Sequence, residues 1–290
     1  AIQPYLAEHF GKSCVVVYGT YLPRFVDRIV DAIRRFRPAV VTMFLPMVFS
    51  ILAAGRRLGL EERALFDGVE VLVVTGAPIT PGMRAHLRKR TGVARIAEIA
   101  GTSENVLAVD CERADGLHVV PDTCYVEVLD RARRTPVAGG ERGTIVHCYT
   151  IDEGSIHLRY DSGDAGVIDR SPCPCGLPSP RIRMLGRWEH AFRVGGRELL
   201  PCDVQLALEA DVPELAGAPF VIVREALAEG RLLLLFARED LAGSIPGAVR
   251  DRLAARFEVG VEVQDVRELP LRFKGVAPVL SRVEVEEARG

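Results

Sequence analysis

Apolar and polar positions in the first hundred residues switch repeatedly between two periods. Residues 14–18 (CVVVY) form a continuous apolar run, which predicts a buried strand. Across residues 22–36, Phe25, Val26, Ile29, Val30 and Ile33 fall at helical spacing. Residues 39–43 predict a strand that ends near Pro46, and residues 48–58 a helix. Residues 69–75 (VEVLVVT) predict a strand stopped by Gly76. A helix opened by proline follows at 81–90, then a short strand at 96–99 closed by Gly101. Strand and helix alternating at this spacing predict a parallel sheet covered by helices.

The pattern changes after about residue 122. Short strands are predicted at 125–129, 143–149, 157–160 and 166–168, separated by Gly and Pro turns. They suggest a small antiparallel, barrel-like unit from about residue 123. Beyond Gly186, helices at 201–209 and 245–257 and strands at 220–224, 232–237 and 261–266 make a compact α+β unit. The expected class is α/β: a helix-covered parallel sheet with an antiparallel β unit, followed by a small α+β domain. The expected division is residues 1–186 and 187–290.

Composition sets the broad class. The 290 residues suit about two domains, and 48% hydrophobic with 26% charged residues is ordinary globular usage. A net charge of -2 with scattered basic residues gives no electrostatic case for nucleic acid or an acidic membrane. No apolar stretch reaches a membrane span of about 20 residues; the run 40–52 is short and contains Pro46. Seven cysteines in a chain this large do not suggest a disulfide framework, so a cytoplasmic setting is expected. Cys14, Cys124, Cys148 and Cys202 read as core residues. The basic residues are overwhelmingly arginine, and lysine stands only at Lys12, Lys89 and Lys274. The chain begins at Ala1 inside a helix–strand pattern, which reads as a fragment of a longer protein.

Three polar segments could carry chemistry. Glu98-Ile99-Ala100-Gly101-Thr102-Ser103-Glu104 ends a strand with a glycine, two hydroxyls and a carboxylate. Hydroxyls there could donate to phosphate and Glu104 could hold Mg²⁺, although the same residues also make a helix cap. Arg159-Tyr160-Asp161-Ser162-Gly163-Asp164 reads as a tight turn whose Asp164 suits ribose hydroxyls, or as a plain hairpin turn. Gly186-Arg187-Trp188-Glu189, followed by Gly195-Gly196-Arg197, reads as a hinge or as an ordinary hairpin. Cys111, His118, Cys173 and Cys175 could together supply a tetrahedral Cys₃His zinc site, or could be unrelated thiols and a histidine.

In this order the segments resemble the adenylate-forming superfamily, and within it the phenylacetate–CoA ligases. VVTGAPITPGMRAHLRKRTGV, CERADGLHV and CPCGLPSPRIRMLGR are similar to further stretches of that branch, over roughly residues 25–282. The resemblance implies ATP-dependent activation of a small aryl or alkyl carboxylic acid to an acyl-adenylate, then transfer to CoA. It implies that Gly76, Ala77 and Pro78 line adenine and that Glu98, Ile99, Ala100 and Gly101 form the wall beside it. Thr102 would touch the α-phosphate, Glu104 would hold Mg²⁺, and Asp164 would bind the ribose with Arg187 assisting. Lys274, in a Leu-Pro-rich loop, would be the adenylation lysine of a mobile C-terminal domain. Residues 1–186 would be the C-terminal part of the family's large domain. Relatives with structural Zn²⁺ share the Cys…His…Cys-x-Cys pattern. The turn Phe44-Leu45-Pro46-Met47 would wall the acyl pocket or simply pack in the core.

The chain departs from the family in three places. Ala100 stands where the family has an aromatic residue against adenine, Glu189 stands where it has Asp, and the glycine follows Lys274 instead of preceding it. The family's Gly-, Ser- and Thr-rich phosphate loop has no counterpart in these residues, so the chain alone is expected to bind ATP poorly and to be inactive. Two other readings stay open. One is a non-catalytic nucleotide-binding or scaffold protein; the other is an adenylating enzyme with a carrier-protein acceptor. A homodimer is also left open.

Overall fold

The structure, a computed structural model, describes residues 9, 11–16, 23–102, 105–132, 134–150, 157–241, 246–267, 269 and 278–287. Helix α1 (Pro23–Phe36) buries Val26, Val30 and Ile33, the stripe its 3.6-residue period requires. Strands β1 (Val40–Phe44), β2 (Val71–Thr75) and β3 (Arg95–Gly101) pair in parallel, with Val41 opposite Leu72 and Leu72 opposite Ile96. Helices α2 (Leu45–Arg57) and α3 (Pro81–Thr91) join them as crossovers. Leu45, Ile51, Leu52, Leu72, Met83 and Leu87 are fully buried where these elements meet. At the start of α3, Thr80 accepts the Met83 N–H at 3.2 Å, and Gly92 ends the helix at φ +75°.

Two local expectations fail in this region. Helix α2 begins at Leu45, with Pro46 in its first turn, where a missing N–H breaks no helical bond. The apolar run at 14–18 forms no strand in its described part. Lys12 to Val16 are irregular and exposed, including Cys14. A β-branched run is buried only beside a partner, and β1 is the sheet's outer strand, with Val40 56% exposed. Residues 17 and 18 lie outside the described residues.

The sheet continues past β3. Strands β4 (Val106–Asp110), β5 (Leu117–Val119), β6 (Cys124–Leu129), β7 (Gly143–Tyr149), β8 (Tyr160–Asp169) and β9 (Arg181–Arg187) extend it in the order β1-β2-β3-β4-β5-β9-β8-β7-β6. Every pairing beyond β3 is antiparallel. The expected parallel sheet and antiparallel unit are therefore both present, as halves of one nine-stranded sheet. The change of sense falls between β3 and β4, and the strands from β6 onward join the rest where β5 pairs with β9, Leu117 opposite Ile182 and His118 opposite Arg181. Arg181, 5% exposed, is held there by Asp115 at 2.9 Å and Asp169 at 2.5 Å.

The segment read as a turn at 159–164 lies mostly inside β8. Gly163 adopts φ +78°, and its N–H donates to Asp161 Oδ1 at 2.9 Å, which is local turn chemistry. Yet β7 and β9 flank the segment and offer a ladder on both sides, so the strand bulges instead of reversing.

Beyond β9, β10 (Phe192–Val194) and β11 (Arg197–Leu199) form a hairpin. Gly195 and Gly196 turn it at φ +57° and +76°, both in the left-handed region that a two-residue turn of this kind requires. Helix α4 (Pro201–Asp211), β12 (Phe220–Val223), α5 (Arg224–Ala228), β13 (Arg231–Ala237), α6 (Arg238–Leu241), α7 (Pro246–Phe257), β14 (Gly260–Val266), β15 (Val279–Leu280) and α8 (Arg282–Glu287) complete the chain. Their sheet has the order β14-β13-β12-β15. The continuous apolar run of β13 is explained by burial on both faces. Leu232, Leu234 and Phe236 join one core, while Leu233 and Leu235 join another. Among the described residues no helix is long and apolar enough to cross a membrane.

Candidate active site

Loops that leave the C-terminal ends of parallel strands sit together on one edge of a sheet. Here β1 ends at Phe44, β2 leads into Gly76-Ala77-Pro78, and β3 leads into Thr102. Gly76 has φ +83°, and a Cβ on it would come 2.6 Å from Phe44 Cδ1. Only glycine lets the loop cross that ring at this distance and dihedral. Pro78 reaches β9, its Cγ lying 4.0 Å from where a Cβ on Gly186 would stand.

Asp164 faces Arg187 across the β8–β9 ladder. Ser162 Oγ donates to Asp164 Oδ2 at 2.5 Å, while Arg187 donates to the Ser162 carbonyl at 2.9 Å and pairs with Glu189 at 2.8 Å. Asp164 and Arg187 are thus neighbours, and the Pro78–Gly186 contact brings the Gly76–Pro78 loop to the same strand. Both charged groups are half-buried and reachable from solvent.

Strand β3 alternates as its pleat requires. Ile96, Glu98 and Ala100 are buried, while Ala97 and Ile99 are half-buried on the other side. The Glu98 and Ala100 side chains therefore point away from Ile99, and only the backbone of these two residues is available to a wall on that side. Ala100 packs with Leu107 and Ala108. Glu98 lies 3.8 Å from Arg84, which also donates to Asp110 at 2.8 Å. Burial pushes the Glu98 carboxyl up to about 8 despite the pull of Arg84, and the charge on Asp110 adds to the rise. One arginine serves two buried carboxyls, so the less closely paired one holds a proton. The Glu98 carboxyl also accepts the Ile79 N–H, which ties it to the Gly76–Pro78 loop.

Thr102 is half-buried beside Tyr149. Glu104, Ser103 and Lys274 lie outside the described residues. Of the Phe44–Met47 turn, Leu45, Pro46 and Met47 are buried within α2, and Phe44 alone is exposed at the strand-end edge.

The second cluster is compact. One ligand atom from each of Cys111, His118, Cys173 and Cys175 lies within 4.8 Å of all the others. His118 Nε2 is 3.3 Å from Cys175 Sγ, and Cys111 Sγ is 4.0 Å from Cys173 Sγ. His118 Nδ1 is 3.0 Å from the Ser179 carbonyl, which can only accept. That contact puts the proton on Nδ1 and leaves the Nε2 lone pair facing the sulfurs. The Cys175 backbone N–H holds the Cys173 thiol down at about 7. Three sulfurs and one correctly tautomerised imidazole suit a tetrahedral zinc ion.

Several contacts between distant segments were not visible in the sequence. Glu209 on α4 accepts the Gly82 N–H at 3.0 Å and the Thr80 hydroxyl. Arg90 on α3 pairs with Asp240 at 3.1 Å, and Arg56 with Glu239 at 2.6 Å. No periodicity or motif signals a pair more than a hundred residues apart.

No family model matches the chain. The phenylacetate–coenzyme A ligase of Thermus thermophilus is 28% identical over 223 residues, covering 75% of this chain and 48% of that protein. The phenylacetate–coenzyme A ligase of Escherichia coli is 26% identical over 165 residues, 55% of this chain and 36% of that protein. The chain spans about half or less of the length of these curated relatives. Among solved structures, 2-hydroxyisobutyryl-CoA ligase in its postadenylation state with R3-HIB-AMP matches 98% of this chain and 62% of its own, with a TM-score of 0.79 at 22% identity. The same ligase in its thioesterification state matches over the same shares with a TM-score of only 0.59. By sequence the chain is similar to the phenylacetate–coenzyme A ligases, and its fold is that of the matching part of a solved CoA ligase.

Proposed function

We propose that the chain carries the nucleotide-facing and C-terminal portion of an AMP-forming carboxylate–CoA ligase. The full-length protein joins a small aryl or alkyl carboxylate to AMP with loss of pyrophosphate, then passes the acyl group to the thiol of CoA. The observation that carries this reading is the approach of the Gly76–Pro78 loop, at a parallel strand end, to β9, whose Arg187 faces Asp164. In this reading Gly76, Ala77 and Pro78 flank adenine, with backbone of Glu98 to Gly101 beside them. Asp164 takes the ribose hydroxyls, with Arg187 fixing the strand behind it. Thr102 meets the α-phosphate. Glu104 as the Mg²⁺ ligand and Lys274 as the adenylation lysine rest on the family resemblance. When bound, Mg²⁺ neutralises phosphate charge.

Residues 187–290 form the mobile domain, turning about Arg187–Glu189 between the two half-reactions. The better match to the postadenylation form of 2-hydroxyisobutyryl-CoA ligase supports a lobe arrangement of that kind in this chain. Zn²⁺ on Cys111, His118, Cys173 and Cys175 is structural: four protein ligands fill its coordination and leave no position for substrate.

The test is carboxylate-dependent release of pyrophosphate from ATP by the full-length protein, with a panel of aryl and alkyl acids. Lys274→Ala should abolish that step and largely spare thioester formation from a preformed acyl-adenylate. Equal loss of both steps would remove the assigned role of Lys274. No pyrophosphate release with any acid would remove the ligase reading.

A further inference from the structure

The turn after β3 is held at both ends by one side chain from the far half of the sheet. Tyr149, at the end of β7 and 6% exposed, donates its phenolic proton to the Asn105 carbonyl at 3.1 Å. Its oxygen is also 3.2 Å from Thr102 Oγ1. The Thr102 N–H donates to the same Asn105 carbonyl at 3.0 Å, and Val106 N–H donates to Asn105 Oδ1 at 2.8 Å. The turn is drawn so tight that a Cβ on Gly101 would lie 2.4 Å from the Asn105 carbonyl oxygen.

The protons in this arrangement can be counted. A phenol has one proton and a carbonyl has none, so the Tyr149–Asn105 contact uses the tyrosine proton. The Thr102–Tyr149 contact must then use the threonine proton. The threonine proton can turn from the tyrosine oxygen to a phosphate oxygen placed beyond it, so the contact holds the hydroxyl in place without removing its donor. The tyrosine ring is itself held in place. His147 packs against it at 4.7 Å between ring centres and His157 at 5.4 Å, and Tyr160 backs His147 at 5.4 Å.

We propose that Tyr149 is a positioning residue for the Thr102–Asn105 turn, pinning both of its ends and fixing the place of the Thr102 hydroxyl. This rests on the reading that Thr102 borders the nucleotide. The resemblance gives the turn its role but gives Tyr149 none; the residue emerges only from the contact across 47 positions.

Two measurements on the full chain test the proposal. The first is amide hydrogen exchange of Tyr149→Phe, which removes one oxygen and keeps the ring. Exchange over residues 101–106 should accelerate about tenfold or more, while β7 and β8 stay protected. Unchanged exchange there overturns the proposal whether or not nucleotide binds. The second is the affinity for adenosine monophosphate. Tyr149→Phe should change it by about tenfold, Thr102→Val should abolish the sensitivity to Tyr149→Phe, and Thr102→Ser should retain it. An affinity change from Tyr149→Phe that is equally large in the Thr102→Val background makes Tyr149 merely structural and overturns the proposal. If the unmodified chain and the full-length protein both fail to bind the nucleotide while exchange responds as expected, the strut stands and the nucleotide reading falls.

Discussion

Glu209 caps a helix that belongs to the other half of the molecule. Its carboxylate accepts the Gly82 N–H at 3.0 Å together with the Thr80 hydroxyl, at the positive end of α3. A Cβ on Gly82 would fall 2.4 Å from Glu209 Cδ, and one on Gly217 would fall 2.3 Å from the Gly82 carbonyl. Two glycines, one on each side, thus permit the carboxylate to reach the helix. Replacing Glu209 with Ala should cost about 1–3 kcal/mol in chemical denaturation, since a charged cap is lost. It should also loosen the arrangement of the two halves in solution scattering. An unchanged scattering profile and unchanged stability would remove the latch.

The glycines give a sharper version of the same test. Gly82→Ala should destabilise the chain, and Glu209→Ala in the same protein should recover much of the loss, because the nearest atoms to the new methyl all belong to Glu209. Gly247→Ala, where nothing stands within 4 Å, is the neutral or mildly stabilising control. Additive losses at Gly82 and Glu209 would contradict the packing described.

Glu98 sets a pH dependence whose sign can be worked out. Its folded-state value of about 8 lies above the ordinary carboxylate range, so the folded chain holds a proton that the unfolded chain has released. The stabilisation is complete below the unfolded value and is lost as pH rises towards 8. Stability should fall over that window by an amount on the order of a few kcal/mol. Glu98→Gln should flatten the slope in urea titrations run from pH 5 to 9. A slope that survives in Glu98→Gln would assign it to another group, such as Asp240, which burial also raises, to about 6.

The Cys₃His cluster predicts close to one equivalent of zinc per chain by metal analysis. Stripping it with a chelator should lower the melting midpoint by roughly 10 °C, corresponding to several kcal/mol of lost binding energy. Cys175→Ser and His118→Gln should each reproduce much of that drop. Protein purified from zinc-supplied medium without the metal, and indifferent to chelator, would leave the cluster as four unrelated side chains.

Legibility in the sequence followed the range of the interactions. Helix α1 and strand β2 were readable because their burial follows local periods. Strand β9 was missed because its alternation carries a buried arginine, and Arg181 is tolerable only where Asp115 and Asp169 meet it. Asp161 to Asp164 looked like a reversal because Gly163 and Asp161 do make turn contacts, but pairing of Asp161 with Val146 and of Asp164 with Arg187 overruled them. The cysteine–histidine set was legible because ligand chemistry restricts the choice of residues. Glu209 and Tyr149 were not, because a capping carboxylate and a buried phenol have no sequence signature until their partners are known.

The junction of β5 with β9 has a mechanical meaning. Two half-sheets, one holding the Gly76–Pro78 loop and the other Asp164 and Arg187, are riveted along a seam two residue pairs wide. His118 of the cluster lies on that seam, and Cys173 and Cys175 lie on the chain that leads into it. Whatever loosens this narrow seam acts on both plates at once, because the approach of Pro78 to Gly186 spans it.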